Sequence, residues 1–513
     1  MALMKVQKVN IYEKILIRHL GDLSGSIFAY GKIKAGKTST LLSLAQSYHI
    51  QKGYKVVDLF GGHRNEQHYW GIPSQDVNYW AKFKKKLNVN PEQHGPLQFK
   101  VNYLYPVFLP HTPNKLPHNP PDVKTKLFTI PYQTITSDDI KLVINDMSQN
   151  AVYYWREALE NVSSKTTINN FENLIIKLGG ANSALFKNFI HPLARSGLIQ
   201  PRSFRLNLDV KEEMKERDVI TVLCLDFVPK EYHLFIMGWF LNQCKQLLDD
   251  NKIRRGNLYI IREASEYFKA TTDSVVEPRY KLFRMLLANY IRYGRRGMHF
   301  LLDTQSPSET RGLVEGSQDI TLLGRIASTS KRDRAEVVES LYSVGAITKE
   351  LINSLHTLRP GEFIVIEEGK DAYKRYIPKP RSMYWREGYG NFRINIWKRF
   401  IGDKWYPNIE SELKEIETAY SYGSILRDSK VDIKEKRLKA ELSGDERNPT
   451  DKEFEEDNIN EDFENSENIG ISNPSIPIIP DSSIKKIVPI SKKLDNSAKI
   501  KAEEEELMEV FNI

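Results

Sequence analysis

The chain has few cysteines and lacks any apolar run long enough to cross a membrane. Only Cys224 and Cys244 occur among its 513 residues, and they are not at metal-ligand spacing. We therefore expect two reduced core thiols in a cytoplasmic protein, and no zinc site. The first residues lack the continuous apolar segment of a secretory signal, and no stretch approaches the ~20 apolar residues that span a bilayer. A disulfide-stabilised secreted domain is thus excluded, and we expect no transmembrane segment.

Acidic and basic residues are unevenly distributed along the chain. Residues 411–513 hold 15 Lys/Arg and 25 Asp/Glu, whereas residues 1–410 hold 59 and 41. The basic part suits a polyanion such as nucleic acid, although a solvated lysine-rich surface gives the same composition. The acidic part is poor in aromatic residues and cannot bury enough apolar surface to fold alone, so we expect a disordered tail. Its last dozen residues form either a short helix that docks on a protein partner or a frayed terminus.

The strongest local signal is a glycine-containing loop between a predicted strand and a predicted helix. Residues 26–30, SIFAY, have the apolar character of a buried strand. Residues 31–38 then spell GKIKAGKT, which matches the phosphate-binding pattern G-x-x-x-x-G-K-[ST]. A helix with an apolar face is expected to follow and to end near Gly53. The strand before and the helix after make a chance match improbable.

Each residue type in this loop has a chemical reason. Gly31 and Gly36 let the backbone bend so that its N–H groups converge on phosphate oxygens. Lys37 adds a positive charge, Thr38 offers a hydroxyl to Mg²⁺, and the helix N-terminus adds partial positive charge. We therefore predict that the chain binds ATP with Mg²⁺. The residues expected to contact the nucleotide are Gly31, Lys34, Ala35, Gly36, Lys37, Thr38 and Ser39.

Further apolar strands alternate with helical patterns later in the chain. This alternation implies an α/β fold with a mainly parallel sheet that helices cover on both faces. The predicted organisation is an N-terminal strand or hairpin at 1–25, a P-loop core at 26–62 and 216–400, an aromatic, Pro-rich and mostly helical insertion at 63–215, and an acidic tail at 411–513.

Aromatic residues and lysines are interleaved at the start of the predicted insertion. Trp70, Tyr79 and Trp80 precede a run of lysines within residues 82–86. Such a mixture can stack bases and bind phosphates. An exposed helix with an aromatic inner face produces the same pattern, so both interpretations stay open.

Four segments, in this order, resemble the HerA/FtsK superfamily of ring-forming motor ATPases within the RecA-like group of P-loop proteins. They are GKIKAGKT, the strand IIRE that ends at Glu263, the turn and strand YGRRGMHFLLDTQSPSE that contains Gln305, and ITLLGRIAST followed by LRPGEFIVI. The resemblance covers residues 26–62 and 219–368. It implies a RecA-like P-loop core and an ATP-hydrolysing motor, a homo-oligomer in the form of a hexameric ring, that translocates or pumps double-stranded DNA. Genome packaging, conjugative transfer and DNA-end processing are equally compatible with it.

The resemblance also implies catalytic roles. Glu263 would orient the attacking water, and Gln305 would sense the γ-phosphate. An arginine from a neighbouring subunit often supplies further positive charge in such motors. The candidates here are Arg292, Arg295, Arg296 and Arg325. The alternative interpretation for each of them is a salt-bridged or DNA-facing surface residue.

One position departs from the family pattern. The family usually has Asp before the catalytic Glu, where this chain has Arg262. Arg262 would replace part of the metal's charge, pair with Glu263 or point away. Asp303, which has the parity to share a face with Gln305, or else Asp226, would then compensate as the metal-supporting carboxylate. If neither compensates, the alternative function is a nucleotide-binding scaffold or slow ATPase that recruits protein partners.

Overall fold

The computed structural model describes most of the chain up to residue 382. The described residues are 23, 25–32, 34–60, 70–81, 95–109, 111–112, 123–144, 148–163, 166–264, 267, 278–305, 318–326, 349–367, 371–382 and 413–414. The predicted hairpin at 1–25, the lysine run at 82–86 and the acidic tail lie wholly or almost wholly outside these residues. Those three features stay predictions.

Ten strands of the described residues form one sheet, and two short strands form a separate parallel pair. In chain order the strands are β1 Ser26–Tyr30, β2 Lys55–Phe60, β3 Val101–Pro106, β4 Val123–Phe128, β5 Ile130–Pro131, β6 Ile199–Gln200, β7 Ile220–Cys224, β8 Asn257–Ile261, β9 Met298–Thr304, β10 Gln318–Leu323, β11 Glu362–Glu367 and β12 Tyr373–Tyr376. The order across the large sheet is β12-β11-β10-β1-β9-β8-β2-β7-β3-β4.

The central strands of this sheet are parallel. β1 lies between β9 and β10, and β9 separates β1 from β8, all in parallel register. Only β11 and β12 run antiparallel to their neighbours, and they close one side of the sheet. Because β1, β8, β9 and β10 are parallel, their carboxyl ends meet at one edge, where open α/β sheets bind ligands. The predicted RecA-like core with a mainly parallel sheet is confirmed.

Helices cover both faces of the sheet. They are α1 Lys37–Lys52, α2 Ser137–Lys141, α3 Gln149–Glu160, α4 Ile168–Gly179, α5 Ser183–Arg195, α6 Val210–Lys215, α7 Lys230–Asp249, α8 Pro278–Arg292 and α9 Lys349–Ser354. Successive residues of β1 point to opposite faces, as the period of a strand requires. Ile27 and Ala29 belong to the core on the side of α1, whereas Phe28 and Tyr30 belong to the core on the side of α7 and α8.

Residues 63–215, predicted as a mostly helical insertion, contribute strands to the main sheet as well as helices. β3 and β4 extend the sheet beyond β7, with parallel pairing throughout. All six residues of β3 are buried, so its sequence shows no polar alternation that would have revealed a strand. The helices α3, α4 and α5 form the helical part, where Trp155 packs against Phe171 and Phe189. The predicted domain boundaries stay a prediction.

Both cysteines are buried free thiols. Cys224 is the last residue of β7, and Cys244 lies on α7. Burial raises the pKa of both thiols, that of Cys244 to about 12, so they stay protonated and unreactive. Among the helices that the structure describes, none is both long and apolar enough to cross a membrane.

Candidate nucleotide-binding site

The phosphate-binding loop joins β1 to α1 at the carboxyl edge of the sheet. Gly36 caps α1 with φ of 91°, a left-handed conformation that glycine adopts without strain. A Cβ at this position would lie 2.8 Å from the backbone nitrogen of Gly361, which is too close for any side chain. Gly361 in turn donates its N–H to the carbonyl oxygen of Ala35 at 3.0 Å. The second glycine of the motif is therefore required by the packing of the loop on the chain segment that precedes β11.

Lys37 is held by the loop that it follows. Its Nζ donates to the carbonyl oxygens of Gly31 at 2.7 Å and Lys32 at 3.3 Å. Both acceptors are neutral, and phosphate oxygens would make stronger, charge-assisted hydrogen bonds with the same ammonium group. The lysine is thus already placed over the loop into which phosphates would bind.

A buried carboxylate connects this loop with the strand that follows α8. Thr38 Oγ1 donates to Asp303 Oδ2 at 3.2 Å, and the other carboxylate oxygen of Asp303 accepts from the backbone N–H of Glu263. Asp303 is 1% exposed. Burial raises the pKa of Asp303, while the nearby charge of Lys37 acts in the opposite direction. Asp303 therefore links the P-loop hydroxyl to the backbone of the predicted catalytic glutamate.

Glu263 lies just beyond the end of β8 in an unusual backbone conformation. Its φ is 46°, which few residues other than glycine adopt. Such strain costs about 1–3 kcal/mol and persists where the surroundings impose it, commonly at functional sites. The bond from its N–H to Asp303 is one contact that holds this conformation.

Arg262 forms a buried ion pair with Asp58, a residue of β2 that was not among the predicted site residues. Their side chains are 6% and 0% exposed. The same Asp58 oxygen accepts from Trp70 Nε1 at 2.7 Å. Asp58 pairs in register with Ile260, which brings its carboxylate beside the end of β8. An aspartate within the apolar strand KVVDLF was the signal in the sequence, because a buried charge needs a partner.

Most of the predicted residues line one cavity of about 550 Å³, whereas Gly31 is not in its wall. Glu263, Gln305 and Arg325 lie in its wall, and Gln305 is exposed at the end of β9. The Arg325 carbonyl oxygen accepts from the N–H of Lys32 at 2.9 Å, so Arg325 contacts the loop of its own chain. Predicted nucleotide and metal residues in the wall are Lys34, Ala35, Gly36, Lys37, Thr38, Ser39 and Asp303.

Other candidate residues are placed elsewhere. Arg295 and Arg296 are exposed in a 3₁₀ turn before β9, at the opposite edge of the sheet from the cavity. Arg296 donates to Asp249 at 3.1 Å and lies over the ring of Tyr293. Asp226 follows β7, which β2 separates from β8, and it is not in the cavity wall. Of the two aspartates proposed as compensating carboxylates, Asp303 is the one beside Thr38.

The oxygen donors at Thr38 and Asp303 fit Mg²⁺. This ion takes oxygen ligands, and in nucleotide sites it is held by one or two protein groups together with phosphates and water. Within the described part of the chain no cluster of three or more His, Cys, Asp or Glu residues is placed to hold a metal ion. A hydroxyl and a single carboxylate beside a phosphate-binding loop are compatible with that arrangement.

Strand order, loop and cavity together define a P-loop fold of the RecA-like type. Solved structures of three other proteins are similar. VirB4 of Thermoanaerobacter pseudethanolicus is 11% identical with a TM-score of 0.39, over 69% of this chain and 89% of that one. The bacterial conjugative coupling protein TrwB is 12% identical with a TM-score of 0.39, over 71% and 88%. B204, the DNA-packaging ATPase from Sulfolobus turreted icosahedral virus, is 10% identical with a TM-score of 0.27, over 69% and 98%.

All three TM-scores lie below 0.5, so the fold assignment rests on the strand order and the loop. No protein-family model and no curated protein matches the chain.

Proposed function

We propose that this chain is an ATP-hydrolysing motor that moves double-stranded DNA. The observation that carries the hydrolase part is the chain of contacts across the cavity, from Thr38 through Asp303 to the backbone of Glu263. It connects a phosphate-binding loop with an acidic residue in the wall of the same cavity. Catalysis of phosphoryl transfer consists mainly of such positioning and of charge neutralisation.

The proposed roles follow from position. Lys37 binds the β- and γ-phosphates, and Thr38 with Asp303 holds Mg²⁺, which when bound would neutralise charge on those phosphates. Glu263 orients the attacking water, and Gln305 contacts the γ-phosphate at the mouth of the cavity. Arg325 lies against its own loop, which favours a role on the nucleotide of the same chain.

A positive charge from a neighbouring subunit completes the proposed site. Arg295 and Arg296 lie at the far edge of their own sheet, so they reach a nucleotide only across a subunit interface. This arrangement requires a homo-oligomer, for which we propose a hexameric ring. The excess of basic residues in positions 1–410 supports a DNA-binding surface on this ring.

ATP turnover with and without duplex DNA tests the proposal. We expect duplex DNA to stimulate hydrolysis, and Glu263→Gln to lower kcat by about 10²–10⁴-fold while ATP still binds. Glu350→Gln, an exposed glutamate on α9, is the matched control and should leave turnover unchanged. An ATP turnover rate that changes neither with duplex DNA nor with the loss of Glu263 would contradict the proposed motor function.

A nucleotide-binding scaffold is the second candidate, and Arg262 is the observation that favours it. The residue stands where related motors carry a metal-supporting Asp, and it pairs with Asp58. Asp303 is then the single carboxylate proposed to support the metal beside Thr38. If the chain is a scaffold, it binds ATP with Mg²⁺ but does not hydrolyse it, either with or without duplex DNA. The same assay therefore separates the two candidates.

A further inference from the structure

The cavity around the P-loop has two chemically different ends. Its carboxylate end contains Glu263 and Asp303. On the other side of β1 from the strands β8 and β9 that carry these carboxylates, the cavity is lined by residues 376–379, a segment that begins at the last residue of β12 and that no sequence motif marked. We call residues 376–379 the wall segment. Its side chains are an aromatic ring, two apolar groups and a lysine, namely Tyr376, Ile377, Pro378 and Lys379.

The position of the carboxylates fixes the direction of a bound nucleotide. The metal ion and the attacking water act on the terminal phosphate, so that phosphate must lie toward Glu263 and Asp303. The nucleoside then extends away from them. Ser39 and Thr40, at the start of α1, also line the cavity, as does the wall segment.

The wall segment is fixed to the loop that would hold the phosphates. Ile377 donates its N–H to the carbonyl oxygen of Gly361 at 2.9 Å, and Gly361 donates to Ala35 at 3.0 Å. Tyr376 packs on Gly361, where an added Cβ would lie 3.0 Å from the ring. Gly361 therefore joins the loop to the wall segment through hydrogen bonds on both sides, as a site with a fixed spacing between its two parts requires.

Residues 70–81 hold the other side of the wall segment. Lys379 Nζ forms an ion pair with Asp76 at 2.7 Å and lies 4.6 Å from the ring centre of Tyr79. The backbone N–H of Lys379 donates to the Tyr79 hydroxyl at 3.3 Å. Two residues further on, the Arg381 N–H donates to Gln46 of α1 at 2.8 Å. Because Asp76 and Tyr79 engage the lysine, the surface offered to a ligand is largely ring and apolar carbon.

We propose that the wall segment is the nucleobase subsite, in which the base packs against Tyr376 and Pro378 while the phosphates occupy the loop. Ligand sites commonly combine such apolar and aromatic walls with a few polar anchors. Stacking of a base on a side-chain ring is tolerant of the base's identity, because every base has a π face. The proposal deepens the nucleotide-binding function proposed above and rests on it.

Isothermal titration with ATP and with inorganic tripolyphosphate, both with Mg²⁺, separates the base from the phosphates. We expect Tyr376→Leu to weaken ATP binding about tenfold and to leave tripolyphosphate binding unchanged. Tyr373→Leu is the matched control, since Tyr373 lies on the same strand and donates its hydroxyl to Glu367 at 2.7 Å, outside the cavity. Equal weakening of both ligands, or of neither, overturns the proposal.

Photolabelling of the full wild-type chain with 8-azido-ATP tests the same subsite without a substitution. Trypsin should release residues 376–381 as one peptide, because Lys379 precedes a proline. We expect the label on this peptide, and we expect excess ATP to prevent it. The proposal is overturned if the label that excess ATP prevents is found only on other peptides. Failure of the wild-type chain to bind either ATP or tripolyphosphate refutes nucleotide binding itself, whereas failure of the base subsite leaves both ligands bound.

Discussion

Charged side chains are buried at both edges of the sheet, but their partners differ in kind. At the amino edge, Lys55 at the start of β2 lies 3.9 Å from Glu213. The Glu213 carboxylate accepts hydrogen bonds from Asn102 at 2.9 Å, Thr221 at 2.5 Å and Lys126 at 3.0 Å. Lys55 Nζ also donates to the carbonyl oxygens of Glu216 at 3.0 Å and Val219 at 2.8 Å. The cluster therefore pairs a buried cation with a buried carboxylate and is satisfied without a ligand.

At the carboxyl edge the charged groups have partners that a ligand can replace. Lys37 donates to two neutral carbonyls of a loop, and Asp303 accepts from the Thr38 hydroxyl and from one backbone N–H. Phosphate oxygens and a metal ion bind these groups more strongly than their present partners do. Burial of charge alone therefore does not identify a functional site. The distinguishing feature is whether the partners can be exchanged for a ligand.

The largest effect that this comparison predicts is on ligand binding, at the carboxyl edge. Lys37→Met should weaken ATP binding by about a hundredfold or more, because it removes charge-assisted hydrogen bonds to phosphate. The unfolding free energy without ligand should change by a smaller factor, because the substitution loses hydrogen bonds to two neutral loop carbonyls and the favourable charge near the buried Asp303. Titration calorimetry and urea unfolding measure the two quantities. Lys52→Met, at the exposed end of α1, should alter neither of them.

At the amino edge, a substitution is expected to change the unfolding free energy and not the affinity for ATP. Glu213→Gln should cost about 3–5 kcal/mol of unfolding free energy, because it leaves the buried Lys55 without its carboxylate. ATP affinity of the folded protein should be unchanged. Glu212→Gln, the adjacent exposed residue paired with Lys215, should have little effect on either quantity. Loss of ATP binding by folded Glu213→Gln protein would remove the distinction between the two edges.

A smaller effect is expected from the aspartate that connects loop and strand. Asp303→Ala should lower Mg²⁺-dependent ATP hydrolysis by roughly 10- to 100-fold, the usual cost of losing a group that supports a bound metal. The loss should be partly recovered at high Mg²⁺ concentration. Asp226→Ala changes the other candidate carboxylate, outside the cavity, and should leave the Mg²⁺ dependence unchanged. Unaltered turnover in Asp303→Ala would exclude Asp303 as the compensating carboxylate.

The difference between the two edges also explains what the sequence could predict. The P-loop residues, Glu263, Asp303 and Gln305 were predicted because they lie in short motifs whose spacing is set by local geometry. The partner of Arg262 was not, because Asp58 is 204 positions away in the chain and becomes its neighbour only through strand pairing.

The wall segment and strand β3 were missed for related reasons. Tyr376 reaches the cavity only because β12 folds back on β11 next to the loop. A strand buried on both faces, such as β3, shows no periodicity to distinguish it from irregular structure. Local patterns thus predicted the loop and a mainly parallel sheet of core strands, whereas contacts distant in sequence required the structure.

The smallest predicted effect is a pH dependence at the amino edge. Burial lowers the pKa of Lys55 to about 8 from an ordinary value of 10.5, although Glu213 acts to raise it. Between these two values the unfolded chain binds more protons than the folded chain, so this group makes stability rise as pH increases from about 8 to about 10.5. The slope that one group contributes is at most about 1.4 kcal/mol per pH unit.

Lys55→Met should abolish this contribution. Urea unfolding of the wild type and the variant at about pH 7.5, below that window, and at about pH 8.5 and 9.5, within it, measures the change. The difference in unfolding free energy should shift in favour of the wild type as pH rises. Buried tyrosines and thiols that titrate above this range are common to both proteins and cancel in the difference. Lys100→Met, which removes an exposed lysine paired with Asp218, should give a flat difference. If the unfolding free energies of wild type and Lys55→Met changed in parallel with pH, the buried lysine would keep its ordinary pKa. The amino edge would then be open to solvent, contrary to its hydrogen-bonded cluster.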